Sequence, residues 1–280
     1  MMNQGKLKQR IRNLNKEKKV PYEVLYQNFF FERFLERLSK SVYLPKFILK
    51  GGFLLSSLLG IENRSTADID MTLEDIEMEE SNLRRILDEI FNIDLEDNVS
   101  FIITKVSIIM NDEKYSGLRI TILGRFNQLK QHFHLDFSTG DIIIPGANKE
   151  FISLNIIEKK IELMCYSYET VLSEKIETIL SRGEASTRAK DYYDVYLISQ
   201  ISGTEINVKL FKTAFLSTLA YRQTEYLMNG ISERNKEIGN SKILKQRWIE
   251  YKNNNSFVGE ISYFDVCKEL GKMIEKIIKK

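Results

Sequence analysis

Residues 68 to 73 read DIDMTL, a strict alternation that suits a strand with one face in the core and the other in water or chemistry. Ile69, Met71 and Leu73 fall on one face, and Asp68, Asp70 and Thr72 on the other. HFHLDF at 132–137 repeats the pattern, with Phe133, Leu135 and Phe137 inward and His132, His134 and Asp136 opposite. Two such strands need a sheet, and the polar faces need an explanation.

The surrounding pattern supplies elements for that sheet. Residues 22–40 carry apolar residues at mostly helical spacing and predict an amphipathic helix. PKFILKGG then reads as a short buried strand ending at Gly51-Gly52, and FLLSSLLG as a short helix closed by Gly60. A helix over 80–93 and two β-rich segments, 99–110 and 115–126 joined by NDEK, follow. From about residue 154 the chain reads as mostly helical, over 169–182, 187–200, 206–228 and 263–279. The expectation is an α+β chain: a mixed sheet with flanking helices in residues 1–155, then a helical C-terminal domain over 156–280.

Charge is segregated. Residues 1–20 hold seven lysines and arginines against Glu17 alone, whereas 74–97 hold ten acids against Arg84 and Arg85. A basic end suits phosphate through sequence-independent attraction, and equally suits plain solvation. The two cysteines, Cys165 and Cys267, form no disulfide framework or paired ligand spacing, which fits a reducing cytoplasm. No apolar run reaches the length of a membrane span, so no membrane partner is expected.

Two aspartates at i and i+2 of a strand project together, as a pair of hard divalent cations such as Mg2+ requires for phosphoryl or nucleotidyl transfer. An Asp-x-Asp alone also fits an exposed strand face. Asp136 supplies a third carboxylate, and Gly51 and Gly52, between strand and helix, offer free amides to a phosphate. Their spacing is neither Walker A nor Rossmann. Lys175, Thr178 and Arg182 line one face of the 169–182 helix, where Lys175 could hold a triphosphate with Arg182 or Arg188 assisting. His132 and His134 lack a third nitrogen or sulfur ligand in register, which disfavours zinc.

The order strand, Gly-Gly, helix, then Arg64-x-Thr66-x-Asp68-x-Asp70, followed by HLDF and LSEKIETILSRGEASTRAKDYYDVYLI, resembles the AbiEii/AbiGii family of nucleotidyltransferase toxins over roughly residues 47–198. The resemblance implies a polymerase-beta-type nucleotidyltransferase fold and a Mg2+-dependent, two-metal transfer of a nucleotide from a nucleoside triphosphate. Asp68, Asp70 and Asp136 would hold metal, with Asp136 completing the site or taking the acceptor proton. Gly51, Gly52, Arg64, Thr66, Lys175, Arg182 and Arg188 would serve the nucleotide. Where the wider superfamily often has Gly-Ser, this chain has Gly51-Gly52, leaving the backbone amides to serve.

The same resemblance places Lys190, Asp191 and Asp194 in the family's last motif, with Asp191 orienting a lysine. On their own, acids at the start of a helix also fit a structural role beside its dipole. The family further implies a growth-arresting toxin of a toxin–antitoxin or abortive-infection system, an AbiEi-like antitoxin, and the tRNA 3′ end as acceptor. Transfer to a protein hydroxyl, for instance on the antitoxin, and a non-catalytic nucleotide- or RNA-binding module are the competing readings.

Overall fold

A computed structural model of the chain describes residues 3–62, 64–110, 116–201 and 206–279. The chain forms two compact units, Met1–Asp141 with Asn148–Cys165, and Ile142–Ala147 with Tyr166–Lys280.

The first unit opens with α1 (Gln4–Lys18) and α2 (Tyr22–Ser39), and continues through β1 (Phe47–Lys50), α3 (Gly51–Leu59), β2 (Asp68–Leu73) and α4 (Glu80–Phe91). Five further strands follow: β3 (Val99–Met110), β4 (Ser116–Phe126), β5 (Leu129–Thr139), β6 (Asn148–Leu154) and β7 (Lys159–Cys165). They build one mixed seven-stranded sheet in the order β3-β4-β5-β2-β1-β7-β6. β2 runs parallel to β5, and β1 runs antiparallel to β2 but parallel to β7. The expected turn at NDEK lies outside the described residues.

One face of the sheet packs on α2, whose Phe29, Phe30, Phe31, Phe34, Leu35 and Leu38 are all buried. Phe31 meets Phe53 and Phe133 edge-to-face with centroids 5.6 and 5.4 Å apart. Each such side chain contributes about 1.5–3 kcal/mol by leaving water. At Gly124 a β-carbon would lie 2.4 Å from the Phe30 ring, so only glycine lets α2 come this close to β4.

The amphipathic reading of α2 is incomplete, because its polar residues are buried too. Arg37 grips Asp97 with both terminal nitrogens at 2.9 and 2.8 Å, and Arg33 Nε adds a bond at 2.6 Å. Glu32 accepts the backbone N–H groups of Ile156 and Ile157. The bidentate pairing of Arg37 with Asp97, joined by Arg33, is what permits these guanidinium and carboxylate charges inside.

The sheet also runs past the boundary expected near residue 155. β7 pairs with β1, placing Met164 beside Ile48 and Cys165 beside Leu49. Its signal lies in KKIELMC, where buried Ile161, Leu163 and Cys165 alternate with exposed Lys160 and Glu162 and half-buried Met164. Seven residues of alternation are easily lost beside long helical periodicities.

The second unit is helical: α5 (Tyr168–Arg182), α6 (Ala189–Ile201), α7 (Val208–Arg222), α8 (Ile231–Asn240), α9 (Lys242–Asn254) and α10 (Tyr263–Ile278). Ser167 caps α5, and Ser262 with Asp265 forms a capping box at α10. The helix expected over 206–228 stops at Arg222, where Gln223 turns left-handed and a single 3-10 turn follows. α8 and α9 bury few apolar residues, Ile231 and Ile238 in one and Leu244 and Trp248 in the other, so periodicity marks them weakly. No helix among the described residues is long and apolar enough to cross a membrane.

Candidate active site

The polar face of the sheet gathers the acids. Parallel pairing of β2 with β5 sets Asp68 opposite His134 and Asp70 opposite Asp136. Ligand atoms of Asp68, Asp70 and Asp136 lie within 4.8 Å of one another, all three side chains half-buried. Among the described residues this is the only cluster of acids, histidines or cysteines that could hold a metal ion.

Strand register extends the triad into a row. Across four neighbouring strands, Arg119, Asp136, Asp70 and Lys50 stand side by side, two acids between two cations. Arg119 donates from Nε to Asp136 Oδ1 at 2.7 Å and from Nη2 to Oδ2 at 2.6 Å, and its Nη2 lies 3.6 Å from Asp68. The Asp136 hydrogen bond raises the Arg119 pKa. Lys50 Nζ donates to Ser138 and Asp141, both at 2.6 Å, and Thr72 Oγ1 donates to Asp141 at 2.7 Å. Burial alone would push the Asp141 carboxyl up, but the Lys50 charge and the bonds from Lys50, Ser138 and Thr72 bring it down to about 2.

Neither Arg119 nor Lys50 stood out in the sequence. Their signal was register: a cation on the polar face of the strand beside each acid-bearing strand, level with its acid.

The glycine pair shapes the other side. Gly51 has φ +68°, and a β-carbon there would lie 2.0 Å from Asp70 Oδ2. At Gly52 a β-carbon would meet Thr66 Oγ1 at 2.8 Å and Arg64 Nη2 at 3.1 Å. α3 therefore begins on the glycines themselves, with no side chain capping its first turn. Thr66 Oγ1 donates to Asp68 Oδ1 at 2.9 Å and so orients that carboxylate. Arg64 is buried and donates to the carbonyl of Ser65, which makes it an anchor of the loop leading into β2.

His134 faces Thr121, with 3.2 Å between Nδ1 and the hydroxyl. Burial and the Arg119 charge hold its pKa below the ordinary imidazole range. Exposed His132 takes no part in the carboxylate cluster.

A separate polar cluster forms inside the second unit. Lys175 Nζ lies 2.7 Å from Asp191 and 3.1 Å from Asp194, both carboxylates fully buried. Arg188 Nε donates to the other oxygen of Asp191 at 2.6 Å. Burial works against the Lys175 charge, but the two carboxylates outweigh it and its pKa rises. Asp191 shifts the opposite way: burial raises it, while Lys175 and Arg188 together bring it well below the usual carboxylate range. Lys190 is half-buried one residue before Asp191. Arg182, at the end of α5, lines a different cavity, with Arg234, Glu184 and Lys242. Thr178 is engaged by Arg222 at 3.0 Å.

The sheet thus presents three carboxylates beside a glycine-started helix, on a fold of the nucleotidyltransferase class. Two solved structures from Helicobacter pylori share the fold, each with a TM-score of 0.50: JHP933, at 14% identity over 92% of this chain and 93% of its own, and a candidate nucleotidyltransferase, at 13% identity over 92% and 96%. No curated protein matches the chain closely. The model of the AbiEii family, nucleotidyl transferase toxins of type IV toxin–antitoxin systems, matches residues 33–267. The chain belongs to that family. It is thus a nucleotidyltransferase that takes a nucleoside triphosphate, and its family pairs toxin with antitoxin.

Proposed function

We propose that this toxin transfers a nucleoside monophosphate from a nucleoside triphosphate to the 3′ end of tRNA, with Mg2+ as the metal. The observation that carries the reading is the convergence of Asp68, Asp70 and Asp136 within 4.8 Å. An all-carboxylate donor set suits a hard cation and disfavours a soft one. Arg119 does not exhaust Asp136, because each carboxylate oxygen keeps a further lone pair. Asp68, Asp70 and Asp136 would hold Mg2+, which when bound supplies charge neutralisation at the α-phosphate and activation of the acceptor hydroxyl.

The protein's own groups do the rest. Thr66 orients Asp68, and Arg119 orients Asp136 toward the acceptor, whose 3′-hydroxyl proton Asp136 accepts. The new bond joins the 3′ oxygen to the α-phosphorus as the bond to the β-phosphate oxygen breaks, and pyrophosphate leaves. The uncapped N–H groups at Gly51 and Gly52 serve a phosphate. Lys175, kept charged by Asp191 and Asp194, is the cation assigned to the triphosphate, with Arg182, Arg188 and Lys190 as supporting cations and Arg64 as loop anchor.

We assign catalysis to the sheet unit and the family's last motif to the helical unit. The setting is the cytoplasm, where Cys165 and Cys267 stay reduced as the free thiols seen here. Growth arrest, released by an AbiEi-like antitoxin and serving abortive infection, is the biological output.

The test incubates the protein with Mg2+, total tRNA or antitoxin, and each nucleoside triphosphate labelled at the α or the γ position. α-Label on tRNA supports the reading. γ-Label on protein identifies a kinase instead, and α-label on the antitoxin alone moves the acceptor to a protein hydroxyl.

A further inference from the structure

The polar face of the sheet does not end at the triad. Along β3, β4 and β5 it continues as rows fixed by register: Lys105 with Thr121 and His134, then Ile102 with Leu123 and His132, then Ser100 with Arg125 and Lys130. A bulge at Thr104 keeps Lys105 on this face. Ser100, Ile102, Lys105, Arg125, Lys130 and His132 are all exposed. The opposite face of the same strands is the buried one, packed on α2 through Phe101, Phe126 and Phe133.

The row of His134 ends on Asp68 of β2, and past it the rows through His132 and Lys130 contain lysine, arginine and histidine and no acid. Among the described residues no ion pair engages Lys105, Arg125 or Lys130. Asp136 and Lys130 lie six steps apart along β5, roughly 20 Å at about 3.4 Å per strand residue.

From this the geometry points to a docking track for the single-stranded 3′ end of the acceptor RNA. Lys105, Arg125 and Lys130 contact its phosphates, and exposed His132 and Ile102 support its bases. The inference rests on the acceptor reading above. A single strand fits better than a folded protein partner, because spaced cations beside an exposed ring are the means by which a backbone is tracked without sequence readout. The track leads to Asp136, the group assigned to take the acceptor proton.

The test compares wild type with a Lys105→Gln, Arg125→Gln, Lys130→Gln variant, each single substitution, and a control that replaces exposed Lys209, Lys236 and Lys268 of the helical unit. Binding of total tRNA and of a short single-stranded RNA is measured across a salt series, alongside α-label transfer and the KM for nucleotide. All substituted positions are exposed, and thermal melts confirm folding. Each phosphate contact carries about 0.7 of slope in log K against log salt, so the triple variant should lose about 2 and the control none. RNA affinity should fall about tenfold or more, with nucleotide KM unchanged.

Wild-type labelling of RNA with an unchanged slope in the triple variant overturns the track and leaves the acceptor reading standing. An equal loss in the control shows generic attraction and also overturns it. Labelling of antitoxin and never RNA overturns the acceptor reading, and the track with it.

Discussion

Gly51 and Asp70 are in contact at a place where no side chain fits: a β-carbon on Gly51 would stand 2.0 Å from the Asp70 carboxylate. The last residue of β1 pairs with Asp70 in the ladder, so the turn into α3 folds its backbone directly over the acid. The glycine does two things there. It adopts a positive φ, and it lets an acid of the triad lie against the start of a helix.

Gly51→Ala should therefore abolish detectable transfer while leaving a folded protein. The left-handed backbone alone costs an alanine about 1–2 kcal/mol, and the displaced Asp70 carries the larger functional loss. A thermal melt paired with α-label incorporation separates the two effects; a folded, fully active variant contradicts the geometry.

Arg119 should act as a positioning residue through its two bonds to Asp136. Arg119→Ala is expected to lower kcat about 100-fold with little change in nucleotide KM, and Arg119→Lys to recover part of it. A loss expressed mainly as raised nucleotide KM would move Arg119 from the acceptor side of the reaction to the triphosphate.

The Lys175 cluster sets up a stability prediction. Asp191→Ala strips the largely buried Lys175 of its nearer carboxylate and should cost about 3–5 kcal/mol in denaturant unfolding. Lys175→Met takes the lysine from two fully buried carboxylates, Asp191 and Asp194, and so should cost more stability than Asp191→Ala and be inactive in transfer. Equal stability losses in the two variants would contradict this account of the cluster.

Glu32 makes the fold pH-sensitive. Burial lifts its carboxyl to about 7, against the pull of the Ile156, Ile157 and Asn155 N–H groups and of Arg33. Its folded pKa lies above the unfolded one, so the folded state binds the extra proton between about pH 4.5 and 7. Glu32 thus contributes stability that is complete below pH 4.5 and lost as pH rises through 7. At about 1.4 kcal/mol per pH unit, wild type should lose about 3 kcal/mol relative to Glu32→Gln across that window. Urea unfolding at each pH measures it, and parallel curves for the two proteins would rule the linkage out.

Much of the site was legible because strands carry a two-residue period. Alternation alone assigned Asp68, Asp70 and Asp136 to polar faces, and parallel pairing then brought those faces together. What alternation leaves out is which strands become neighbours, and register decides that. Arg119 and Lys50 became site residues only when β4 and β1 took their places beside β5 and β2. β7 was hidden because its alternation is short, and although β6 beside it is near in sequence, the pairing that joins it to the sheet is with β1, more than a hundred residues earlier. In the helical unit, the helical period placed Lys175 and Arg182 on one face but could not show that Asp191 and Asp194 close on the lysine while Arg182 lines another cavity.

The central claim is that the three converging carboxylates drive nucleotide transfer to RNA, and one measurement reaches it most directly. Wild type, Asp68→Ala and Asp136→Ala are given Mg2+, α-labelled nucleoside triphosphates and total tRNA, with folding of each confirmed by its melt. The account predicts label at the tRNA 3′ end with wild type and none with either variant. Undiminished labelling by a folded Asp68→Ala protein, or no transfer of α-label to RNA by wild type, would contradict it.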